Sequence, residues 1–595
     1  MNESEDATPF IAVDRYIAPT SEGFALAYNL TDGRLDRVSP TAAALLAALN
    51  EFRTAEEHLA VLHEDAAKFL GPKVLRDAMA ELAGKGLVYS EARLLADLAA
   101  SRPSPPEAPR RIELVSWLTH THYDSLVRSM SSYIRNFREA GRSPLLRVFN
   151  DSSDPNERAS CRDRVAALER ASGCAITYTD YEEKLVFAER LAESSGVERE
   201  VVDFALFGLP GLDAPNIGAN HNAALLFSRG LPYLHCDDDI LCEVAPPQDE
   251  KGGFAVSERG YLARFHFYGS EAELAREITT ERTDILGRFE ELLGRDAGEL
   301  ILEQGSRGRT WLEGVSPGFV RRIVQSGIRP GIVSIGCYGD SGMRNPSILE
   351  FLPTPELLSL FPDERSYASA LRSRTLWRRP VAKAITRNQS FMSMSAALAP
   401  ELGLPPHFPC FHNEDGLFAA SYLRLNPAGA IGHVPISLRH DSANPPCYSE
   451  DDDIYMLGLD DILVSLVEEL NPPPGWAALS GAARLAELAA LLGDMLGTNK
   501  KKAMELVREQ AIRAQTSRRE MLERRAEDYG LPEHLRRGMR VAAERRGRLI
   551  RDERFVPKEL DGQQDWGGTV VSLARNYARL LEAWPILMKA AVELE

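Results

Sequence analysis

Between residues 112 and 240 the chain repeats one rhythm: an apolar run, a polar turn, an amphipathic stretch, then another apolar run. RIELVSWL passes through THTHYD into SLVRSMSSYIRNF, PLLRVFN passes through DSSDPN into a helical stretch, and CAITYTD precedes a helical approach to LPYLHCDDDILCEV. Near-continuous apolar strands alternating with amphipathic helices predict an α/β fold, with a mostly parallel sheet flanked by helices. Ligands of such sheets gather beyond the carboxyl ends of the strands. Asp151 and the triplet Asp237, Asp238 and Asp239 fall at such ends.

Three adjacent carboxylates at the end of a buried strand repel one another and require a counter-charge. Carboxylates are hard oxygen donors, so the cation that suits them is Mg²⁺ or Mn²⁺. Just upstream, Gly218, Asn220 and Asn222 open a helix, where the backbone is expected to approach a ligand closely.

The remaining sequence surrounds this unit with others, since 595 residues exceed one core. Residues 1–94 read as a small α+β domain. Two strands, FALAYNL and RLDRV, flank Thr31-Asp32-Gly33. Helices then start at Ser39-Pro40, at the capping box Thr54/Glu57 and after Gly71-Pro72. Residues 95–110 read as a linker, because SRPSPPEAPRR is rich in proline and poor in core residues. The α/β domain takes 111–451, and 452–595 is helical. Within the latter, AALSGAARLAELAALLGDML reads as an amphipathic helix. The basic stretch NKKKAMELVREQAIRAQTSRREMLERR carries interleaved glutamates, which predicts a solvated, ion-paired face; the alternative is a surface guiding an acidic peptide or nucleotide.

Seven cysteines without a CxxC pair, an acidic start lacking a signal-peptide pattern, and no long uncharged apolar run predict a cytoplasmic protein that does not span a membrane. A net charge of −18 disfavours nucleic acid as a general partner.

GANHNAALLFSRGLPYLHCDDDI resembles the family-2-like glycosyltransferases of the GT-A fold, in which a helix leads into a strand ending in a DxD motif. LTHTHYDSLVRSMSSYI is similar to the first strand and helix of that fold, VFNDSSDP to its second-strand nucleotide turn, PHFPCFHNEDGLFAASYLR to its acceptor-side ED motif, and GHVPISLRHD to the late segment that returns a histidine to the metal. The resemblance implies that Asp239 binds Mn²⁺ or Mg²⁺, that Asp237 shares the metal or reaches the ribose, and that His440 completes the coordination. Asp151 would contact base or ribose, with the backbone near Thr119 supporting a nucleotide sugar, a UDP-sugar foremost. Asp415 would be the general base, seconded by Glu414, with inversion at the anomeric carbon. Asn150-Asp151 stands where the family often has two acids, which leaves the nucleotide open.

VSPTAAALLAALNEFRTAEEHLAVLHEDAAKFLGPKVLRDAMAELAGKGLVYS resembles the PqqD-like peptide-recognition domains of ribosomal peptide maturation, a small winged-helix-like fold. In that reading a leader peptide adds a strand to the small sheet, and Leu75 and Met79 line its groove, unless they are simply core. A DNA-binding winged helix is the alternative, but the third helix sets only Lys73, Arg76 and Lys85 against Asp77 and Glu81. Fusion would raise the effective concentration of a held peptide to roughly the millimolar range. The resemblances together imply a metal-dependent, inverting glycosyltransferase acting on a ribosomally made precursor peptide. The rivals are the same chemistry on a lipid or glycan, a leader-binding scaffold without turnover, and a nucleotidyltransferase.

Overall fold

The computed structural model describes residues 8–65, 72–102, 108–212, 214–246, 253–258, 263–305, 312, 314–389, 391–443, 446–470 and 475–594. The chain is an α/β protein with a large mixed sheet flanked by helices, a small α+β unit before it and a helical region after it.

In the small unit, β1 (Arg15–Pro19), β2 (Ala25–Asn29) and β3 (Leu35–Val38) form an antiparallel meander. Helices α1 (Pro40–Ala48), α2 (Ala55–Asp65) and α3 (Pro72–Gly84) follow. Their starts obey the expected chemistry. Ser39 Oγ accepts from the Ala42 amide with Pro40 in the first turn. The Thr54 hydroxyl accepts from Glu57 N at 3.2 Å, while the Glu57 carboxylate accepts from Thr54 N at 2.8 Å. Residues Phe10–Ala12 pair antiparallel with Val88–Ser90 and close the unit.

Leu75 and Met79, expected in a peptide groove, are only 3% and 4% exposed. They share a face of α3 with Leu82, and that face packs inward, so both residues belong to the core. Val74 (44%) is an exposed large apolar residue of α3, and a row of them lies on the meander: Tyr16 (69%), Tyr28 (40%) and Leu35 (60%) are register partners across β1, β2 and β3, on the face opposite buried Ala25 and Ala27.

The expected linker is shorter than its composition suggested. Helix α4 (Glu91–Ser101) begins at a Ser90 cap and buries Leu94 and Leu98 beside the helix Ala297–Gly305. Arg102 pairs with Asp296 at 2.7 Å and donates to the carbonyls of Ile323 and Val324, while Arg321 pairs with Asp14 at 2.7 Å. Both pairs dock the small unit on the large one, and of the two only Arg102–Asp296 is enclosed; removing one partner of such a buried pair costs about 3–5 kcal/mol. The unit is docked rather than swinging on a tether.

Twelve strands make the large sheet among the described residues. Its parallel half runs β6 (Ile176–Thr179), β5 (Leu145–Asn150), β4 (Leu114–Thr119), β7 (Tyr233–Asp237). The other half is mixed, which corrects the mostly parallel expectation. Next to β7 lies β10 (Ser395–Leu398), antiparallel, then β9 (Arg329–Asp340), antiparallel to β10 and parallel to β11 (Gly429–His440). Strand β8 (Ile240–Ala245) turns back from β7 to pair with β11. The strands Lys383–Thr386 and Phe254–Ser257 extend the edge, and Thr375–Pro380 carries Ala263–Phe267 off β9. The sequence rhythm covered only the parallel half; the second half is assembled from strands far apart in the chain.

Among the C-terminal helices, α5 (Leu459–Glu469), α6 (Gly481–Leu496), α7 (Lys500–Ala526), α8 (Glu533–Arg551) and α9 (Trp566–Glu593) share cores with the sheet domain. Trp584 donates to Leu404 O at 3.0 Å from a fully buried position. Buried Arg546 pairs with Glu350 at 3.0 Å. Helix α7 pairs Lys501 with Glu505, Arg513 with Glu509 and Arg519 with Glu523, as its interleaved charges predicted. Among the described residues no helix is long and apolar enough to cross a membrane.

Candidate functional site

Strand β7 ends at Asp237, and Asp238 and Asp239 form the turn into β8. Register supplies the histidine: β8 pairs Ile240 with His440, and β9 pairs Gly339 with the same residue. His440 Nδ1 donates to the Asp340 carbonyl at 3.0 Å, which directs Nε2 toward Asp239 Oδ2 at 3.3 Å. A backbone carbonyl holding one imidazole nitrogen orients the other as a ligand. Gly342, at φ +67°, lies against the same ring; a Cβ there would stand 3.4 Å from His440 Cε1 and 2.8 Å from Met392 Cε.

Of the expected metal ligands the structure brings Asp239 and His440 together, while Asp237 does not join them in a group of three ligand atoms within 4.8 Å of one another. Burial and the neighbouring Asp239 push Asp237 up to about 7, and burial pushes Asp238 up to about 8 despite the Thr119 hydrogen bond. Burial alone would lower His440, but Asp239, Asp340 and Asp237 outweigh it and hold the imidazole up at about 9. Burial would likewise raise Asp239, yet His440 keeps it below the ordinary carboxylate value.

The raised groups have one consequence for stability. Between about pH 4 and 8 the folded metal-free protein holds protons on Asp237 and Asp238 that the unfolded chain has lost, so their contribution falls as pH rises. His440 acts in the same direction, its contribution fading as pH rises through about 9. Mn²⁺ should therefore raise the melting temperature more at pH 8 than at pH 6. An increment equal at both values would exclude metal binding linked to these groups.

The first two strand ends meet the triplet. Thr119 Oγ1 donates to Asp238 Oδ2 at 2.6 Å, and the Thr119 carbonyl accepts from Asp151 N at 3.2 Å. The Thr119 carbonyl is thus already engaged by the chain, while its side chain anchors the middle aspartate. Asp151 accepts from His120 Nδ1 at 2.6 Å; this hydrogen bond outweighs burial and raises the His120 pKa. Lys184, fully buried, donates to Asn220 Oδ1 at 3.4 Å; burial lowers its pKa, and the charges of Asp151 and Asp180 oppose that shift. The sequence reading missed this lysine; its place on an apolar helix face gave the only signal.

The helix Ile217–Phe227 does not hold its amides free for a ligand. A Cβ at Gly218 would meet the Phe408 carbonyl at 1.9 Å, so the close approach is to the chain itself. Asn220 donates to Phe149 O at 3.2 Å, and Asn222 donates to Ala205 O and His407 O at 3.1 and 3.0 Å. These amides lock the strand ends in place.

Glu414 and Asp415 open a helix, Glu414–Leu425. Helix α5 positions the preceding turn: Asp460 accepts from the amides of His412 and Asn413, and Asp461 accepts from Asn413 Nδ2 at 2.7 Å. Phe411 sits at φ +76°, a conformation costing about 1–3 kcal/mol for a non-glycine residue and common beside functional groups. Asp415 Oδ2 accepts from Ser393 N at 2.8 Å, while Oδ1 has no partner among the described residues. Burial raises both carboxyls above their ordinary range; Asp415 adds to the rise of Glu414, and Asp237 adds to both. The ED pair thus lies within electrostatic reach of Asp237.

Three buried histidines that carried no role in the sequence reading stand behind this pair. His407 stacks between Phe418 (3.9 Å) and His221 (4.4 Å), His221 lies 4.5 Å from the His235 ring, and His235 Nε2 donates to Asp237 Oδ1 at 3.1 Å. Burial keeps all three neutral. His221, Glu414 and Asp415 offer ligand atoms within 4.8 Å of one another, and among the described residues they are the one group of three that does; the sequence reading had assigned Glu414 and Asp415 to the acceptor and given His221 no role.

Asp415 also lines a cavity of about 1010 Å³, whose opposite wall is built by the C-terminal region, including Tyr455, Leu457, Arg518 and Lys558. That contribution from residues 452–595 was absent from the sequence reading.

Compared with the sequence models of known protein families, the chain matches none, and no curated protein matches it. The functional reading therefore rests on the geometry and the motifs.

Proposed function

We propose that the protein is a metal-dependent, inverting glycosyltransferase of the GT-A type that moves a sugar from a nucleotide sugar to a peptide held by a PqqD-like unit. The observation that carries this reading is Asp415: a carboxylate that lines a cavity, has its pKa raised by burial and feels the charge of the strand-end Asp237. The strand order β6-β5-β4-β7, followed by antiparallel β10, supports the GT-A assignment.

In this reading the Asp415 carboxylate takes the proton of the acceptor as it attacks the anomeric carbon from the cavity side, and its raised pKa matches it to that task. Asp237, Asp239 and His440 would hold the divalent cation, which when bound supplies neutralisation of charge on the leaving diphosphate. His120–Asp151 and Lys184 border the nucleotide side. The C-terminal region contributes Tyr455, Leu457, Arg518 and Lys558 to the lining of the cavity that would receive the acceptor.

The exposed row Tyr16–Tyr28–Leu35 supports a peptide partner for the small unit. The test is release of nucleoside diphosphate from a panel of UDP- and GDP-sugars with Mn²⁺, with and without precursor peptide. Absence of metal-dependent release from every donor would sink the proposal. The double variant Tyr16→Ser/Leu35→Ser should raise the KM for peptide tenfold or more, since each lost apolar contact is worth about 1.5–3 kcal/mol, and leave donor hydrolysis unchanged. An unchanged KM would remove this face from peptide recognition.

A further inference from the structure

The cavity beside Asp415 carries cations that the protein does not neutralise. Of its basic side chains, Arg374 is committed to Asp340 through two contacts of 2.7 Å. Arg344 stands 3.6 Å from Glu559 and 3.9 Å from Asp461, attracted but beyond hydrogen-bond range. Those two acids are engaged by the chain: Asp461 accepts from Gly458 N at 2.8 Å and Asn413 Nδ2 at 2.7 Å, and Glu559 accepts from Leu459 N at 3.4 Å.

Arg518 and Lys558 remain. Among the described residues neither side chain has a hydrogen bond or ion pair; Arg518 only overlies the Phe351 ring at 5.7 Å. Arg518 is half-buried and differs in this from its neighbour Arg519, which is paired with Glu523 on the outer face of the same helix. Glu350 and Asp461 act on Arg518 without forming an ion pair with it, so a guanidinium and an ammonium that line the cavity unpaired form a place for an anion.

We propose that the cavity admits the acceptor through an anionic group, a carboxylate or a phosphate monoester, held by Arg518 and Lys558 while Asp415 faces the nucleophile. The acceptor role rests on the reading of Asp415 given above; anion binding itself does not. Helix α7 then serves two purposes, with an ion-paired outer face and one unpaired arginine turned inward.

The experiment is calorimetric titration of the full chain with inorganic phosphate, tetraglutamate and tetraglutamine, for wild type, Lys558→Gln and Arg518→Gln. Phosphate or tetraglutamate should bind at least tenfold tighter than tetraglutamine, and each substitution should weaken that binding about fivefold or more. Phosphate alone would identify a phosphate-bearing acceptor, tetraglutamate alone an acidic segment, and either supports the proposal. If Arg518→Gln does not fold, Lys558→Gln decides. Binding of neither anion, binding indifferent to the substitutions, or substitutions that weaken a UDP-sugar instead would overturn it. A parallel UDP-sugar titration separates the two readings: no donor binding with intact anion binding removes the transferase, and the reverse removes only this site.

Discussion

Asp415→Asn should bind donor and Mn²⁺ within about twofold of wild type while transfer falls on the order of a hundredfold or more, the scale of a lost general base. The structure separates the two effects. Asp415 lies on the cavity wall, and its Oδ2 is already held by Ser393 N at 2.8 Å, an interaction asparagine can keep through its carbonyl oxygen. The ionised carboxylate is the group that takes the acceptor's proton, and an amide cannot take it. Because burial raises this carboxyl, wild-type transfer should climb with pH above the ordinary carboxylate range and level off once the base is ionised. Glu414→Gln should cost less than tenfold, since Glu414 is buried behind the wall, 3.6 Å from His221, and contributes shape and hydrogen-bonding capacity. Single-turnover transfer beside calorimetric donor binding checks both variants. Collapse of donor binding in Asp415→Asn would move that residue to the nucleotide side; a dead Glu414→Gln beside an active Asp415→Asn would exchange the two roles.

Asp239→Asn should weaken Mn²⁺ at least about a hundredfold and abolish metal-dependent donor binding, since even partners behind a ligand are worth about 10–100-fold. Asp239 holds the metal reading together by geometry as well as charge, because its Oδ2 is 3.3 Å from His440 Nε2. Without it His440 loses the largest influence opposing burial, so the imidazole pKa should drop from about 9. An NMR titration of His440 reads that change independently of turnover. The fold should persist, because the register of β8 on β11 depends on backbone pairing and the Asp239 carbonyl still accepts from Asp441 N at 2.9 Å. Wild-type donor binding in Asp239→Asn, or in excess chelator, would exclude the metal mechanism.

Local chemistry carried much of this molecule in plain view. Ser39-Pro40 and Thr54/Glu57 start helices because caps are set by residues three apart. The parallel strands β4 to β7 were legible because burial on both faces writes an unbroken apolar run. The same run explains why Asp237 marks a strand end: charge cannot continue into that interior.

Long-range assembly was not legible, because side-chain type says whether a face is buried but not what covers it. Leu75 and Met79 show one helical face, and only packing decides between groove and core. Helix α4 has the apolar spacing of an ordinary amphipathic helix beside a proline-rich stretch, and its docking through Arg102 and Asp296 joins residues almost two hundred positions apart. Charge alone made α7 a solvated helix. Tertiary placement turned Arg518 inward and left it without an ion-pair partner among the described residues, so the wall of the cavity beside Asp415 was decided by the fold rather than by any local pattern.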